Sequence, residues 1–165
     1  GELLEDEFLE AYDLYYDMIY RYIYAKVGNK WDTEDIISEV FRKAFEKFDS
    51  AKSHRKTWLF TIARNSVNDF YRKKKYKTVE LEDVFCADNQ TFEDGLIRID
   101  ELECLKRSLT CLGDEELDII TMRYFSDLKY EEIGRVMDKQ SDYLRVKAGR
   151  TIKKLGIMVM KCLEG

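Results

Sequence analysis

Apolar side chains recur at three-to-four spacing along nearly the whole chain, and its 165 residues include no proline. That spacing puts them on one face of an α-helix, and without proline nothing removes the amide donors that long helices use. Runs of β-branched residues are short, so strands have little to build on. The pattern predicts an all-α fold. Phe8, Tyr12, Tyr15, Ile19, Tyr22 and Ile23 form a first stripe, and Gly28 and Asn29 supply a helix stop. Asp32 or Thr33 is then expected as the N-cap of a second helix carrying Ile36, Ile37, Val40, Phe41, Ala44 and Phe48. After a polar break over residues 49–56, Trp58, Leu59, Ile62, Ala63, Val67 and Phe70 mark a third helix that runs into the cations Arg72, Lys73, Lys74 and Lys75. These three helices can bury one core.

From residue 76 to about 94 the periodicity fades and acidic residues dominate, which reads as a linker. Leu96, Ile99, Leu102 and Leu105 open a fourth helix, and Leu112-Gly113-Asp114 looks like a break with a new N-cap. A fifth helix over 115–124 is expected to bury Leu117, Ile120 and either Met122 or Tyr124. Two further helices, 130–137 and 141–155, are joined by the tight turn 138–140, the spacing of a helix-turn-helix. The expected organisation is therefore two small helical domains, 2–77 and 96–161, joined by an acidic linker at 78–95.

A net charge of −5 is unpromising for nucleic-acid binding until the charges are placed along the chain. Residues 51–77 hold nine Lys or Arg against Asp69 alone, and 139–161 hold seven against Asp142 alone. Between them, 78–103 holds nine carboxylates against Arg98. Two basic blocks are separated by an acidic one. The third helix combines cations with Trp58, Phe60, Phe70 and Tyr71, a pairing suited to single-stranded DNA, although an aromatic stripe on a helix is more often core.

Other classes of function find little support. With His54 as the one histidine, no paired cysteine spacing and no phosphate-binding loop, no catalytic residue, metal site or cofactor is expected. Cys86, Cys104, Cys111 and Cys162 lack ligand spacing and read as free, buried or half-exposed thiols. No apolar run approaches the roughly 20 residues that cross a bilayer. The acidic stretch 2–10 is unlike a signal peptide, so a cytoplasmic protein without membrane insertion is expected.

Residues 32–41, DTEDIISEVF, and 58–75, WLFTIARNSVNDFYRKKK, closely resemble region 2 of the extracytoplasmic-function sigma factors of bacterial RNA polymerase. Residues 109–155, with YEEIG at 130–134, resemble region 4 of the same family. The resemblance implies a dissociable polymerase subunit that recognises promoters and leaves catalysis to the core enzyme. It implies that Asp35, Glu39 and Phe41 touch the clamp coiled coil of core RNA polymerase, with Ser38 replacing the usual glutamine. It places His54, Arg55, Lys56, Trp58, Arg64, Asn65, Arg72, Lys73 and Lys74 at the minus-10 element of promoter DNA. It places Arg145, Lys147, Arg150, Lys153 and Lys154 at the minus-35 element, where Asp142 and Tyr143 depart from the family pattern. Contact with the polymerase flap and control by an anti-sigma factor are further implied partners. The alternative is a stand-alone helix-turn-helix regulator with an N-terminal sensor domain. A sensor bundle has no use for a third helix that ends in four consecutive cations.

Overall fold

A computed structural model describes residues 2–48, 53–77 and 100–165, the side chains of 75–77 excepted. The expected linker at 78–95, the expected helix start at Leu96, Cys86, and Ser50 to Lys52 of the loop before the third helix lie outside the described residues. Among those described there are seven α-helices and no strand: α1 (Glu2–Val27), α2 (Lys30–Glu46), α3 (Arg55–Lys77), α4 (Glu101–Leu109), α5 (Asp114–Ile120), α6 (Tyr130–Met137) and α7 (Ser141–Glu164). A π-helical turn, Thr121–Phe125, prolongs α5.

The first three helices form an antiparallel bundle in which each expected stripe faces inward. Gly28 adopts φ 81°, the left-handed conformation that ends α1. The N-cap of α2 is then Asn29 rather than Asp32 or Thr33. Its side chain accepts from the Asp32 amide at 2.8 Å, while Thr33 is buried and returns its hydroxyl to the Asn29 carbonyl at 2.7 Å. Phe8 meets Phe41, Phe45 and Phe48 edge to face at centroid distances of 6.3, 5.1 and 5.5 Å. These quadrupole-matched contacts hold the start of α1 to the end of α2.

In the C-terminal half, α4 packs along the distal part of α7, and the pair is joined by a disulfide between Cys104 and Cys162. No described cysteine is a free thiol, which corrects the expectation for Cys104, Cys111 and Cys162. The physical reason is tertiary. Helix packing brings Cα atoms that are 58 residues apart in sequence to 5.7 Å, and no spacing rule anticipates such a pair. The fifth helix stops at Ile120 because the ladder widens there: the Ser126 amide reaches the Thr121 carbonyl, five residues back, at 3.1 Å. Met122 is buried and Tyr124 exposed, which resolves the choice left between them.

The helix-turn-helix falls where expected. Asp138 takes the left-handed conformation at φ 57°, and the Lys139 amide closes the turn on the Gly134 carbonyl at 3.1 Å. Lys129 lacks a capping side chain, but Glu132 reaches back to its amide at 2.8 Å and supplies half of a capping box. Leu144, Ala148 and Leu155 of α7 face inward.

Hydrophobic packing does not stop at either half. Ile119, Met122, Leu128 and Ile133 share one continuous core with Ile19, Tyr22, Phe60 and Val67 of the bundle. The halves are packed face to face, α1 against the π-turn and α3 against α6.

Candidate nucleic-acid interface

The third helix turns one face to the core and one to water. Leu59, Phe60, Ala63 and Val67 are buried, whereas Asn65, Asn68, Arg72 and Lys73 are exposed. Phe60 is wholly enclosed and meets the Tyr22 ring edge-on at 6.0 Å, so it is a core residue and no stacking surface for bases. Trp58 and Phe70 are half-buried, and the exposed Tyr71 gives its hydroxyl to the Lys26 carbonyl. Asp69 pairs with Arg72 at 3.4 Å. Lys74 lies 5.7 Å from the centre of the Phe70 ring. The run Arg72 to Lys74 is thus an exposed cationic end on a helix anchored by its other face.

The start of α3 is different, because its expected DNA contacts are already engaged within the chain. Arg55 pairs with Glu7 at 3.0 Å and lies over the Phe48 ring. Lys56 pairs with Glu132 of α6 at 3.2 Å, and His54 Nδ1 sits 2.9 Å from the Arg135 guanidinium. Arg64, about two helical turns further on, donates through Nε to Asp118 Oδ2 at 2.9 Å. Asp118 is only 2% exposed, and its Oδ1 also accepts from the Tyr22 hydroxyl at 2.8 Å and from Lys26 Nζ at 2.5 Å. Burial pushes the Tyr22 phenol well above its usual value, and the adjoining Asp118 carboxylate adds to the shift.

Asp118 and Lys26 have no place among the residues singled out from sequence, and Tyr22 enters there only as one of the apolar stripe of α1. A signal was present. Lys26 continues the Ile19, Tyr22, Ile23 stripe of α1, and Asp118 stands four residues before Met122 on the buried face of its own helix. A charge inside an apolar stripe implies a buried partner.

On α2, Asp35 is exposed, and Glu39 is half-exposed and bridges to Arg42 at 2.5 Å. The hydrogen bond from Arg42 holds the Glu39 carboxyl below its usual value. Phe41, expected at the polymerase surface, is 6% exposed and packs on Tyr12 at 4.7 Å and on Phe8. It is corrected to a core residue. Helical spacing explains this, since Phe41 falls one position after Val40 on the inward arc with Ile37 and Ala44.

On α7 the basic residues divide. Arg150 and Lys153 are exposed and make no ion pair with a described residue. Arg145 pairs with Asp142 at 3.0 Å and lies 5.2 Å from the Tyr130 ring centre. Lys147 pairs with Glu115 at 2.7 Å and Lys154 with Glu116 at 3.0 Å. The Lys147 hydrogen bond lowers the pKa of the Glu115 carboxyl, and Tyr143 contributes a second bond. Tyr143 therefore serves as an anchor between α7 and α5.

An apolar cleft of about 900 Å³ opens between the end of α1, α4 and the π-turn, lined by Tyr20, Tyr24, Leu105, Leu117 and Phe125. Of the residues expected to meet DNA bases or polymerase, only Tyr71 borders it. Among the described residues no helix is long and apolar enough to cross a membrane.

Known proteins resemble this chain in sequence and in fold. Residues 11–76 match the Sigma-70 region 2 family. The ECF RNA polymerase sigma factor SigW of Bacillus subtilis is 31% identical over 147 residues, covering 81% of this chain and 79% of that protein. BldN of Streptomyces coelicolor, also an ECF RNA polymerase sigma factor, is 29% identical over 91% of this chain and 59% of its own length. The fold is shared with the sigma factor RpoE from Bartonella quintana, solved with the anti-sigma factor NepR, at a TM-score of 0.71, 19% identity and coverage of 93% and 97%. CnrH, solved with the cytosolic domain of CnrY, has the same TM-score at 15% identity, covering 95% of this chain and 90% of its own. With a bundle that matches region 2 and a relative alike across most of both lengths, the chain belongs to the ECF sigma factor family of RNA polymerase.

Proposed function

We propose that this protein binds core RNA polymerase in the cytoplasm and directs it to promoters, with 2–77 acting at the minus-10 element and 96–161 at the minus-35 element. The observation that carries this reading is the exposed run Arg72, Lys73 and Lys74 on an α3 whose inner face is locked into the bundle. Cations on a rigid helix bind phosphates without having to be ordered first, and the neighbouring polar residue Asn65 is exposed for a base. Trp58 and Phe70, being half-buried, offer partial ring faces for stacking against separated bases.

At the other end, the exposed Arg150 and Lys153 of α7 are the residues free to meet the major groove, and Arg145 and Lys147 sit at the edge of the same surface. Asp35 and Glu39 on α2 are the carboxylates available to the clamp coiled coil, with Phe41 supporting them from within. The flap is assigned to the C-terminal half. An anti-sigma factor is a fitting regulator because RpoE, which shares this fold, was solved with the anti-sigma factor NepR. No residue is assigned to catalysis: promoter opening is driven by binding energy, and nucleotidyl transfer belongs to the core enzyme.

Run-off transcription with core polymerase tests the reading. Replacing Arg72, Lys73 and Lys74 together by alanine should lower promoter-dependent initiation at least about tenfold and reduce the salt slope of promoter binding by about three. Unchanged initiation would overturn it.

A further inference from the structure

We propose that Tyr130 is a positioning residue for DNA readout: its ring holds the Arg145 guanidinium so that the edge left free by Asp142 meets a base in the major groove. The inference rests on the reading of α7 as the groove-facing helix, and it adds a residue that lies outside that helix.

Tyr130 opens α6, and its backbone is pinned there because Glu132 accepts from the preceding Lys129 amide at 2.8 Å. The side chain is half-buried and packs against the continuous core, so the ring has a fixed place. Two guanidinium groups lie close to it, Arg123 of the π-turn at 5.1 Å from the ring centre and Arg145 of α7 at 5.2 Å. Both fall within the roughly 6 Å over which an aromatic quadrupole attracts a cation. Arg123 is itself tied down, donating through Nη1 to the carbonyl of the fully buried Leu128 at 3.2 Å. A run of fixed groups thus leads from the core to Arg145.

Asp142 decides which part of Arg145 can act. Its Oδ1 accepts from Arg145 Nη1 at 3.0 Å, whereas Nε and Nη2 make no hydrogen bond with a described residue and the side chain is 58% exposed. Nε and Nη2 are the two parallel donors of one guanidinium edge, a fork that matches paired acceptors such as O6 and N7 of guanine. A phosphate offers paired acceptors too, but its charge would be repelled by the Asp142 carboxylate bound to the same guanidinium. A neutral base edge meets no such penalty. An arginine on a bare helix surface must surrender rotamer freedom before it can present this fork, and stacking on Tyr130 removes part of that loss in advance.

The test uses the full chain assembled with core polymerase. The probe is the genomic fragment that gives the parent holoenzyme its strongest run-off product, with each base pair of its minus-35 element replaced in turn. Arg145→Ala should relax discrimination at one base pair by about tenfold. Tyr130→Leu should relax it at that same base pair by about fivefold, whereas Tyr130→Phe, which keeps the ring, should match the parent. In an Arg145→Ala background, Tyr130→Leu should change promoter binding by less than about twofold, because nothing remains for the ring to hold. A purely structural role for Tyr130 would persist in that background. Should Tyr130→Leu lose its helices by circular dichroism, Tyr130→Met takes its place. A phenylalanine variant as impaired as the leucine one, a loss that persists without Arg145, or a loss spread evenly over all base pairs would overturn the positioning. If Arg145→Ala leaves every base pair read as before, the groove-reading role of Arg145 falls and the proposal with it. An effect at Arg145 without one at Tyr130 removes the positioning alone.

Discussion

Lys26 holds its Nζ 2.5 Å from Oδ1 of Asp118, and both side chains are almost wholly excluded from water. Removing Lys26 leaves the buried Asp118 carboxylate to Arg64 and the Tyr22 hydroxyl alone, which is costlier than losing an exposed bridge. Lys26→Met should therefore lower unfolding free energy by roughly 3 kcal/mol, read as a drop in the urea midpoint. Arg42→Ala on the exposed face of α2 is the control, and its midpoint should stay close to the parent's.

Tyr22 makes stability depend on alkaline pH. Burial first, and the Asp118 carboxylate second, raise its phenol well above the ordinary value, so the folded state holds this proton more tightly than the unfolded state does. The contribution is complete below the unfolded value of about 10 and is lost as pH rises toward the folded value. Tyr22→Phe should cost about 1 kcal/mol near neutrality through the lost hydrogen bond. Above about pH 10 its stability should fall less steeply than the parent's. Parallel pH profiles for the two proteins would refute the assignment.

Gly134→Ala ought to destabilise the helix-turn-helix, although alanine is the better helix former by about 1 kcal/mol. A Cβ at this position would lie 2.6 Å from the Lys139 carbonyl oxygen, which is backbone held by the turn at Asp138. The steric cost of forced repacking, typically 1–3 kcal/mol, is expected to outweigh the propensity gain. Thermal unfolding of the two proteins decides the sign.

Reduction should cost stability through the 58-residue span that the Cys104–Cys162 bond closes. Loop-closure entropy sets this at up to about 4 kcal/mol. A lower Tm for Cys104→Ala under oxidising conditions is the expected outcome, and excess dithiothreitol, which also reduces the bond at Cys111, should lower Tm at least as far. Identical melting with and without reductant would show that the bond adds nothing to the fold.

Local chemistry made much of the architecture readable in advance. The limits of α6 and the start of α7 follow from turn residues and apolar spacing, and the inward set Leu144, Ala148 and Leu155 follows from the same periodicity. Misreadings arose where a residue could serve two local roles or where a distant partner decided. Asn29 was counted as part of a stop when it is the cap, because Gly28 alone ends α1. Phe41 and Phe60 belong to the inward arcs of their helices, and their ring packing shows them to be core residues where the resemblance and the aromatic pattern suggest surface contacts. Of the expected DNA residues, Arg72 and Lys73 lie exposed on α3, whereas Arg64 and Lys56 are paired with carboxylates more than fifty residues away. Nothing within a helical turn of Arg64 announces Asp118, and the cystine and the continuous core are long-range in the same sense.

The disulfide at Cys162 acts as a pivot for the whole of α7. Seventeen residues separate Arg145 from Cys162 on this uninterrupted helix, a rod of about 25 Å at the usual rise per residue. A tilt of only about 10° around the tethered end would carry Arg145 by roughly 4 Å, more than the ~3.4 Å between stacked base pairs. For a helix proposed to read a groove, the angle at which α4 holds its base therefore sets the position along the duplex that its tip can reach.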